Sequence, residues 1–217
     1  MTFSALIPVL SFWISVIPHP FIDIIPVDPD KKDYGQWKEA RNSDGVQTFF
    51  RWINTDGISF RERRGEMDIG CSFQEAVRII SDAKNTNQWM SGIDESKNLN
   101  IANKNEWYTY TIFSIPWPFS KRDLVSLNQL TADPVRGITT INVFCKEKYL
   151  PMKPDILRLE DYTAQWKITK TGENSIHLTF LAASSSPPAF PRYIQDPVIE
   201  RMFHNNLVRL KELLEEK

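Results

Sequence analysis

The sequence feature that most constrains the fold of this chain is the order of its secondary-structure patterns: many strand patterns are followed by one long C-terminal helix. The helix pattern spans about residues 191–216, and Phe203, Leu207, Leu210 and Leu214 recur along one side at helical spacing. A sheet of many strands has to curl, and a helix laid in the curl covers its concave face. Because one helix cannot fill a deep trough, we expect a cavity between helix and sheet. The predicted strands preceding the helix are 98–102, 106–115, 122–131, 138–147, 155–169 and 175–184.

The residues before these strands predict a smaller α and β unit. Asp33 is expected to cap a short helix through Trp37 to Arg41. Two strands, 46–53 and 58–69, are joined by an Asp56-Gly57 hairpin turn, and Gly65 marks a candidate bulge. Ser72-Phe73-Gln74-Glu75 is a capping-box sequence, which predicts a helix directly after it.

The N-terminal segment differs in composition from the rest. Residues 1–30 contain no Lys or Arg and three acidic residues, and 3–27 is almost wholly apolar. Four prolines oppose a regular transmembrane helix, whereas 9–17 has about the length of a signal-peptide hydrophobic region. We favour an export or membrane-tethering segment over residues 1–32, with packed N-terminal structure or a mis-assigned start codon as alternatives. Residues 33–217 would then form one domain.

This N-terminal segment also decides the expected location. An export signal would place the protein in the periplasm or otherwise outside the cytoplasm. Without such a signal, the protein would be cytoplasmic.

Charge and cysteine content exclude several classes of protein. The formal net charge is −1, from 26 basic and 27 acidic residues. Proteins that coat nucleic acid are usually basic, so we expect no nucleic-acid partner. Cys71 and Cys145 are the only cysteines and form no CxxC motif, so neither a zinc site nor a disulfide framework is indicated. One long-range disulfide stays open, but two buried free thiols are favoured.

Motifs of nucleotide binding and catalysis are missing from the sequence. Gly65 to Gly70 has the glycine spacing of a phosphate loop, but Cys71-Ser72 follows where Lys-Ser/Thr is required. The histidines are scattered over the N-terminal segment, a strand and the last helix, without the spacing of a metal site. His177 and His204 are expected to be ordinary polar positions. We therefore expect no cofactor and no metal.

The most informative stretch is 107–125, WYTYTIFSIPWPFSKRDLV. It predicts an aromatic strand, a rigid Pro-Trp-Pro corner and a strand that opens with Arg122-Asp123. Strand alternation sends Arg122, Ser126 and Asn128 to one face and Asp123 to the other. Two interpretations stay open: structural charges that tie the corner to a neighbouring loop, or Arg122 at a cavity mouth in contact with a ligand head group.

This stretch closely resembles the StAR-related lipid-transfer (START) domain, which has an aromatic strand, a Pro-x-Pro corner and an Arg-Asp strand start. Other segments agree in order: Asp44-Gly45-Val46, Trp89 after the capped helix, the 157–169 sequence LRLEDYTAQWKIT, and a helix that follows Pro191. The resemblance covers about residues 35–215 and is greatest for single-domain bacterial members.

The resemblance implies an α+β helix-grip fold of START or Bet v 1-like type, with a curved antiparallel sheet wrapped around the C-terminal helix. It also implies an apolar tunnel for a lipid, sterol or other hydrophobic small molecule. For each apolar candidate, packing in the core without contact to a ligand is as open an interpretation as direct ligand contact. The candidate polar contacts are Arg122, Ser126, Asn128, Tyr108 and Tyr110, and the candidate apolar walls are Trp166, Ile176, Leu178, Phe180, Met202 and Phe203.

Two departures from the family pattern affect the site. An Asp-Pro-Gly-Gly-like turn often precedes the last helix in the family, whereas this chain has Ser185-Ser186-Pro187-Pro188-Ala189-Phe190. Some sterol-binding members carry an arginine six residues after the motif arginine, where this chain has Asn128. A neutral hydrogen bond is therefore the most that we expect from Asn128. Ligand entry would require movement of the terminal helix or of an adjacent loop, for which the segment 184–190 is the candidate.

Three functions remain open at this point. The favoured one is a monomeric, non-enzymatic carrier of a hydrophobic small molecule with transient membrane contact. The second is a helix-grip enzyme, a cyclase or hydrolase of an apolar substrate, which needs a general acid or base in the cavity. The third is a protein-interaction domain with a filled cavity.

Overall fold

The computed structural model describes residues 32–55, 57–114, 121–188 and 190–216. The predictions for the N-terminal segment up to residue 31 and for the Pro116-Trp117-Pro118 corner lie outside these residues. In chain order the elements are β1 (Asp33–Tyr34), β2 (Lys38–Ser43), β3 (Val46–Thr55), β4 (Ile58–Ile69), α1 (Phe73–Ser81), a 3-10 helix (Ala83–Gln88), β5 (Ile93–Asn103), β6 (Glu106–Phe113), β7 (Arg122–Asp133), β8 (Ile138–Cys145), β9 (Leu157–Arg158), β10 (Tyr162–Lys170), β11 (Ile176–Ser184) and α2 (Arg192–Glu215).

One sheet contains all of these strands. Its order is β1-β3-β4-β11-β10-β8-β7-β6-β5, with β2 added beside β3 and β9 beside β7. The pairs are antiparallel, apart from the short parallel pair of β7 and β9. The last strand lies beside β4, so the N-terminal strands and the C-terminal strands form a single surface around α2. The predicted helix-grip fold, a large curved antiparallel sheet with one long C-terminal helix, is confirmed.

The prediction of a helix from Asp33 to Arg41 is wrong. This segment contains β1 and β2, which both pair with β3. Between them, the Trp37 ring lies 4.5 Å from the Arg51 guanidinium and 4.6 Å from that of Arg64. Strand pairing and these cation–π contacts outweigh the weak local preference for a helix turn.

Two further strand boundaries differ from the prediction. β5 begins at Ile93 rather than residue 98. The predicted strand 155–169 is divided into β9 and β10, because the chain moves from pairing with β7 to pairing with β8. Local sequence patterns do not report such a change of partner.

Gly65 has a packing role and not the predicted role of a bulge. The register of β4 with both neighbours runs through it without a shift. A Cβ atom at this position would lie 2.1 Å from Leu207 Cδ1, well inside contact distance. The glycine therefore allows α2 to approach the sheet closely.

The core lies between the concave face of the sheet and the two helices. Ser72 Oγ accepts a hydrogen bond from the Glu75 amide at 3.2 Å, which confirms the predicted cap of α1. The predicted apolar side of α2 is confirmed: Leu207, Leu210 and Leu214 are at most 2% exposed. α2 begins at Arg192 and continues through Pro197, which lies early in the helix. None of the helices in the described ranges is long and apolar enough to cross a membrane.

Both cysteines are free thiols; the favoured prediction of two buried free thiols is confirmed for Cys71, whereas Cys145 is only half-buried. Cys71 is buried, and Cys145 donates to the Leu159 carbonyl at 2.9 Å. Burial raises the pKa of both thiols, which keeps them protonated and unreactive at neutral pH.

Candidate ligand cavity

The two faces of β7 carry different chemistry, as the alternation predicts. Arg122 and Asn128 point to the inner side, where each lines a cavity. Asp123 points outward, is fully buried, and receives two hydrogen bonds from Arg158 at 2.6 and 2.9 Å. Tyr110 donates a third at 3.0 Å. Asp123 is therefore a structural charge, as the first interpretation predicts, and Arg122 lies in the cavity wall, the position that the second interpretation requires.

The space between α2 and the sheet contains a cavity of about 300 Å³ and a smaller one of about 110 Å³. The first volume is at the low end of the range for small-molecule sites, roughly 300–1,000 Å³. The N-terminal half of α2 forms one wall of the larger cavity, and Pro187 and Pro188 lie at its rim. Both cavities share five wall residues, which are Trp89, Met90, Phe113, Tyr162 and Phe180. We call the two together the ligand cavity.

An aromatic stack separates the two compartments. The Phe180 ring lies 3.8 Å from that of Trp166 and 5.5 Å from that of Phe203, nearly parallel to both. Trp89 meets Trp166 edge to face at 5.8 Å. Such rings offer a flat, rigid apolar wall. Phe180, Met202 and Phe203 line the larger compartment, and Trp166 lines the smaller one with Phe180.

Four of the predicted ligand contacts lie elsewhere. Ile176 and Leu178 are fully buried in the core cluster and line neither compartment. Tyr108 and Tyr110 are on the outer face: Tyr108 stacks on Tyr149 with 4.2 Å between ring centroids, and Tyr110 joins the Asp123 network. Their placement among the candidate ligand contacts is therefore corrected.

The pairing of β6 with β7 explains the error for the tyrosines. Tyr110 lies opposite Val125, and Thr109 lies opposite Ser126. Directly paired residues share a face of the sheet, so the inward side of β7 requires Thr109 and not Tyr110 to be inward. This signal was available in the sequence once the two strands were assumed to be neighbours.

The predicted polar residues Ser126 and Asn128 form a small polar network in the wall of the smaller compartment. Thr109 Oγ1 lies 2.7 Å from Ser126 Oγ, and Asn128 Nδ2 donates to Thr109 Oγ1 at 3.2 Å. Asn128 Nδ2 also donates to the Trp107 carbonyl at 3.2 Å. These groups satisfy one another, so the network needs no ligand to complete it.

Arg122 is different, because it has no acidic partner among the residues that the structure describes. Its side chain is half-buried and lines the larger compartment, and its Nε is buried without a hydrogen-bond acceptor. Burial lowers the pKa of its guanidinium, although an arginine retains its charge at physiological pH.

Sequence reasoning missed three further arginines in the same wall. Arg61 and Arg63 lie on the inner face of β4, and Arg192 opens α2. The sequence FRERRG on β4 could have indicated them, because it puts basic residues on both faces of a strand that covers the core. Asp196 is the carboxylate among the lining residues, and it lies 3.3 Å from Arg61 Nε and 3.8 Å from Arg63 Nη2.

The two histidines within the described residues, His177 and His204, do not contribute to this wall. His177 pairs with Asp68 at 2.8 Å on the surface. His204 was expected at a polar helix position but is 1% exposed, with Nε2 at 3.3 Å from Ser43 Oγ. Neither lines the larger or the smaller compartment. Over the described ranges, no group of three potential metal ligands converges.

Two solved structures with this architecture are named as lipid-transfer proteins. A STAR-related lipid transfer protein from Xanthomonas axonopodis superposes with a TM-score of 0.73 at 26% identity, over 82% of this chain and 98% of that one. The chain has the START fold. The human StAR-related lipid transfer protein 5 has the same START fold with a TM-score of 0.71 at 16% identity, over 83% of this chain and 86% of that one. The resemblance predicted from the sequence is thus confirmed by the structure.

Two further proteins match most of the chain. An aromatase/cyclase from Streptomyces sp. R1128 superposes with a TM-score of 0.52 at 10% identity, over 72% of this chain and 94% of that one. An uncharacterised protein of Pseudomonas aeruginosa is 22% identical over 83% of this chain and 88% of its own length. No protein-family model matches the chain.

Proposed function

We propose that this protein binds a lipid or another hydrophobic small molecule in the ligand cavity and carries it without chemical conversion. The observation that carries the proposal is the compartment of about 300 Å³ between α2 and the sheet, walled by Phe180, Met202 and Phe203. Its START-fold neighbours from Xanthomonas and human are named as lipid-transfer proteins, which supports the same function.

The energetics of such binding come from desolvation. A ligand that buries about 400 Å² of apolar surface gains roughly 10 kcal/mol at about 25 cal/mol/Å². Association costs offset several kcal/mol of this gain. Shape and apolar area would thus supply most of the affinity, and a few polar groups would set orientation. Ligand access would require movement at the rim, where Ser184, Ser186, Pro187 and Pro188 line the larger compartment.

An enzyme on the same fold is the second candidate, and the aromatase/cyclase neighbour is the observation that favours it. Such an enzyme needs a free acid or base in the cavity. The lining carboxylate, Asp196, is engaged by Arg61 and Arg63. This arrangement supports the carrier over the enzyme. Transient membrane contact and a monomeric state remain predictions.

Native mass spectrometry of the purified protein tests the proposal. The protein is expected to carry a lipid-sized adduct that solvent extraction releases and identifies. A Met202→Trp substitution would replace a wall residue of the larger compartment with a bulkier side chain, and it should reduce the adduct and weaken uptake of a fluorescent fatty acid and a fluorescent sterol by at least about tenfold.

The matched control is Met152→Trp, at a methionine that is 63% exposed and outside both compartments. It should bind like the original protein. If Met202→Trp retains full binding, or if no lipid is recovered after exposure to membranes and sterols, the proposed function is wrong.

A further inference from the structure

The larger compartment combines apolar walls with a strongly basic lining. Among the residues that the structure describes, four arginines line it, namely Arg61, Arg63, Arg122 and Arg192, against the single lining carboxylate of Asp196. A lipid without a charged head group offers no anionic group that these arginines could pair with. The arrangement and partners of each arginine therefore bear on the class of ligand.

Two of the arginines have acidic partners. Arg61 pairs with Asp196 and Glu200, and Arg63 lies 3.8 Å from Asp196. Two carboxylates thus face four guanidinium groups. Arg192 donates to the Ser59 carbonyl at 2.6 Å and lies 5.0 Å from the Trp52 ring, contacts that fix its position without neutralising its charge.

Among the four lining arginines, Arg122 has the fewest interactions with the protein groups that the structure describes. In the described part of the chain it has no carboxylate partner, and its buried Nε has no acceptor. Arg61 and Arg63, which line the same compartment, likewise have a buried Nε without a hydrogen-bond acceptor. An unpaired buried cation is costly unless a partner completes it. A guanidinium fits a carboxylate or a phosphate through two parallel hydrogen bonds.

We propose that the ligand is an amphiphile with one apolar chain and one anionic head group, carboxylate or phosphate, which Arg122 binds inside the larger compartment. Arg61, Arg63 and Arg192 add positive potential around the head group, and Phe180, Met202 and Phe203 contact the chain. This inference rests on the proposed function and narrows its ligand class, since a neutral sterol leaves Arg122 unpaired.

Four ligands with the same chain length test the head group: dodecanoate, dodecyl phosphate, dodecanol and dodecyltrimethylammonium. Isothermal titration of the delipidated full-length protein should give at least about tenfold tighter binding for one or both anions than for dodecanol. The cationic amphiphile should bind weakest of the four. The relative affinity of dodecanoate and dodecyl phosphate distinguishes a fatty-acid ligand from a phosphate-bearing one.

Variants then assign the preference to Arg122. Arg122→Gln should remove most of the advantage of the anions over dodecanol and leave dodecanol binding within about twofold. Arg122→Lys should retain part of that advantage, because the charge stays. The control is Arg136→Gln, at a side chain that is 77% exposed in the turn between β7 and β8; it should behave like the original protein.

Three outcomes would overturn the inference. Equal affinity for dodecanol and both anions would exclude an anionic ligand while leaving a hydrophobic carrier intact. An anion preference that survives Arg122→Gln would place the head group elsewhere. Tight binding of inorganic phosphate alone, with no binding of any amphiphile, would indicate a free-anion site and would reject the proposed function as well.

Discussion

Arg122 and Asp123 are neighbours in the chain but lie on opposite sides of the sheet in opposite electrostatic situations. Asp123 is fully buried, and three hydrogen bonds from Arg158 and Tyr110 satisfy its carboxylate. Arg158 also donates to the carbonyls of Glu147 and Leu150 at 2.7 and 3.1 Å. Arg122 faces the ligand cavity with a buried Nε that lacks an acceptor among the described residues.

The difference separates a structural ion pair from the group that we propose binds the ligand. A buried charge is tolerated when partners saturate it, and it then stabilises one arrangement of the surrounding loops. The outer network ties β6, β7, β9 and the segment before β9 together in this way. The inner charge has no such partners among the described residues, which is why we propose that a ligand completes it.

Removing the outer partner should have the largest effect. Arg158→Met leaves Asp123 buried without its cation and leaves the loop carbonyls without donors, so we expect a loss of about 3–5 kcal/mol in the free energy of unfolding. Urea unfolding followed by circular dichroism measures this loss. Arg136→Met, at an exposed arginine, is the control and should change stability by less than about 0.5 kcal/mol. A cost below about 1 kcal/mol for Arg158→Met would show that the outer network is not structural.

Tyr110→Phe tests the weaker member of the same network. Loss of one hydrogen bond to Asp123 should cost about 1 kcal/mol. Tyr149→Phe, at a partly exposed ring, is the control and should cost less.

The same substitution should change the alkaline pH dependence of stability. Burial, followed by the Asp123 hydrogen bond, raises the pKa of Tyr110 to about 12 from its ordinary value of 10.0. The neutral phenol is favoured in the folded state, so its contribution is complete below pH 10 and is lost as pH rises towards 12. Thermal unfolding at pH 8 and pH 11 should therefore show a smaller alkaline loss in Tyr110→Phe than in the original protein. An identical loss would mean that Tyr110 ionises normally.

Much of the fold could be predicted because its signals are periodic. The spacing of Leu207, Leu210 and Leu214 identifies the buried side of α2, and alternation separates Arg122 from Asp123. The helix predicted from Asp33 to Arg41 was wrong because tertiary contacts decide the conformation there. Trp37 contacts Arg51 and Arg64, which a local sequence pattern does not report. Gly65 was misjudged for the same reason, because its constraint is Leu207 on another element.

The site was harder to predict than the fold. Alternation divides a strand into two faces but does not say which face is inside, and β6 has bulky residues on both. Its outer face is covered by Leu99, Leu150 and Ile156, which turns Tyr110 into a core residue of a second cluster. The arginines on β4 were missed because charged residues are expected outside, and a basic cavity wall breaks that expectation.

The smallest effect on stability is expected for Arg122, and it most directly tests the contrast with Asp123. In Arg122→Met a shorter, apolar side chain replaces a half-buried cation that has no acidic partner among the described residues, so the free energy of unfolding of the ligand-free protein should stay within about 0.5 kcal/mol or rise slightly. Dodecanoate should raise the stability of the original protein by mass action and that of the variant much less. Urea unfolding with and without dodecanoate measures both effects.

A loss above about 2 kcal/mol without ligand would make Arg122 a structural charge like Asp123. An equal gain with ligand in both proteins would mean that the head group does not contact Arg122, so the measurement tests the structural role and the binding role separately.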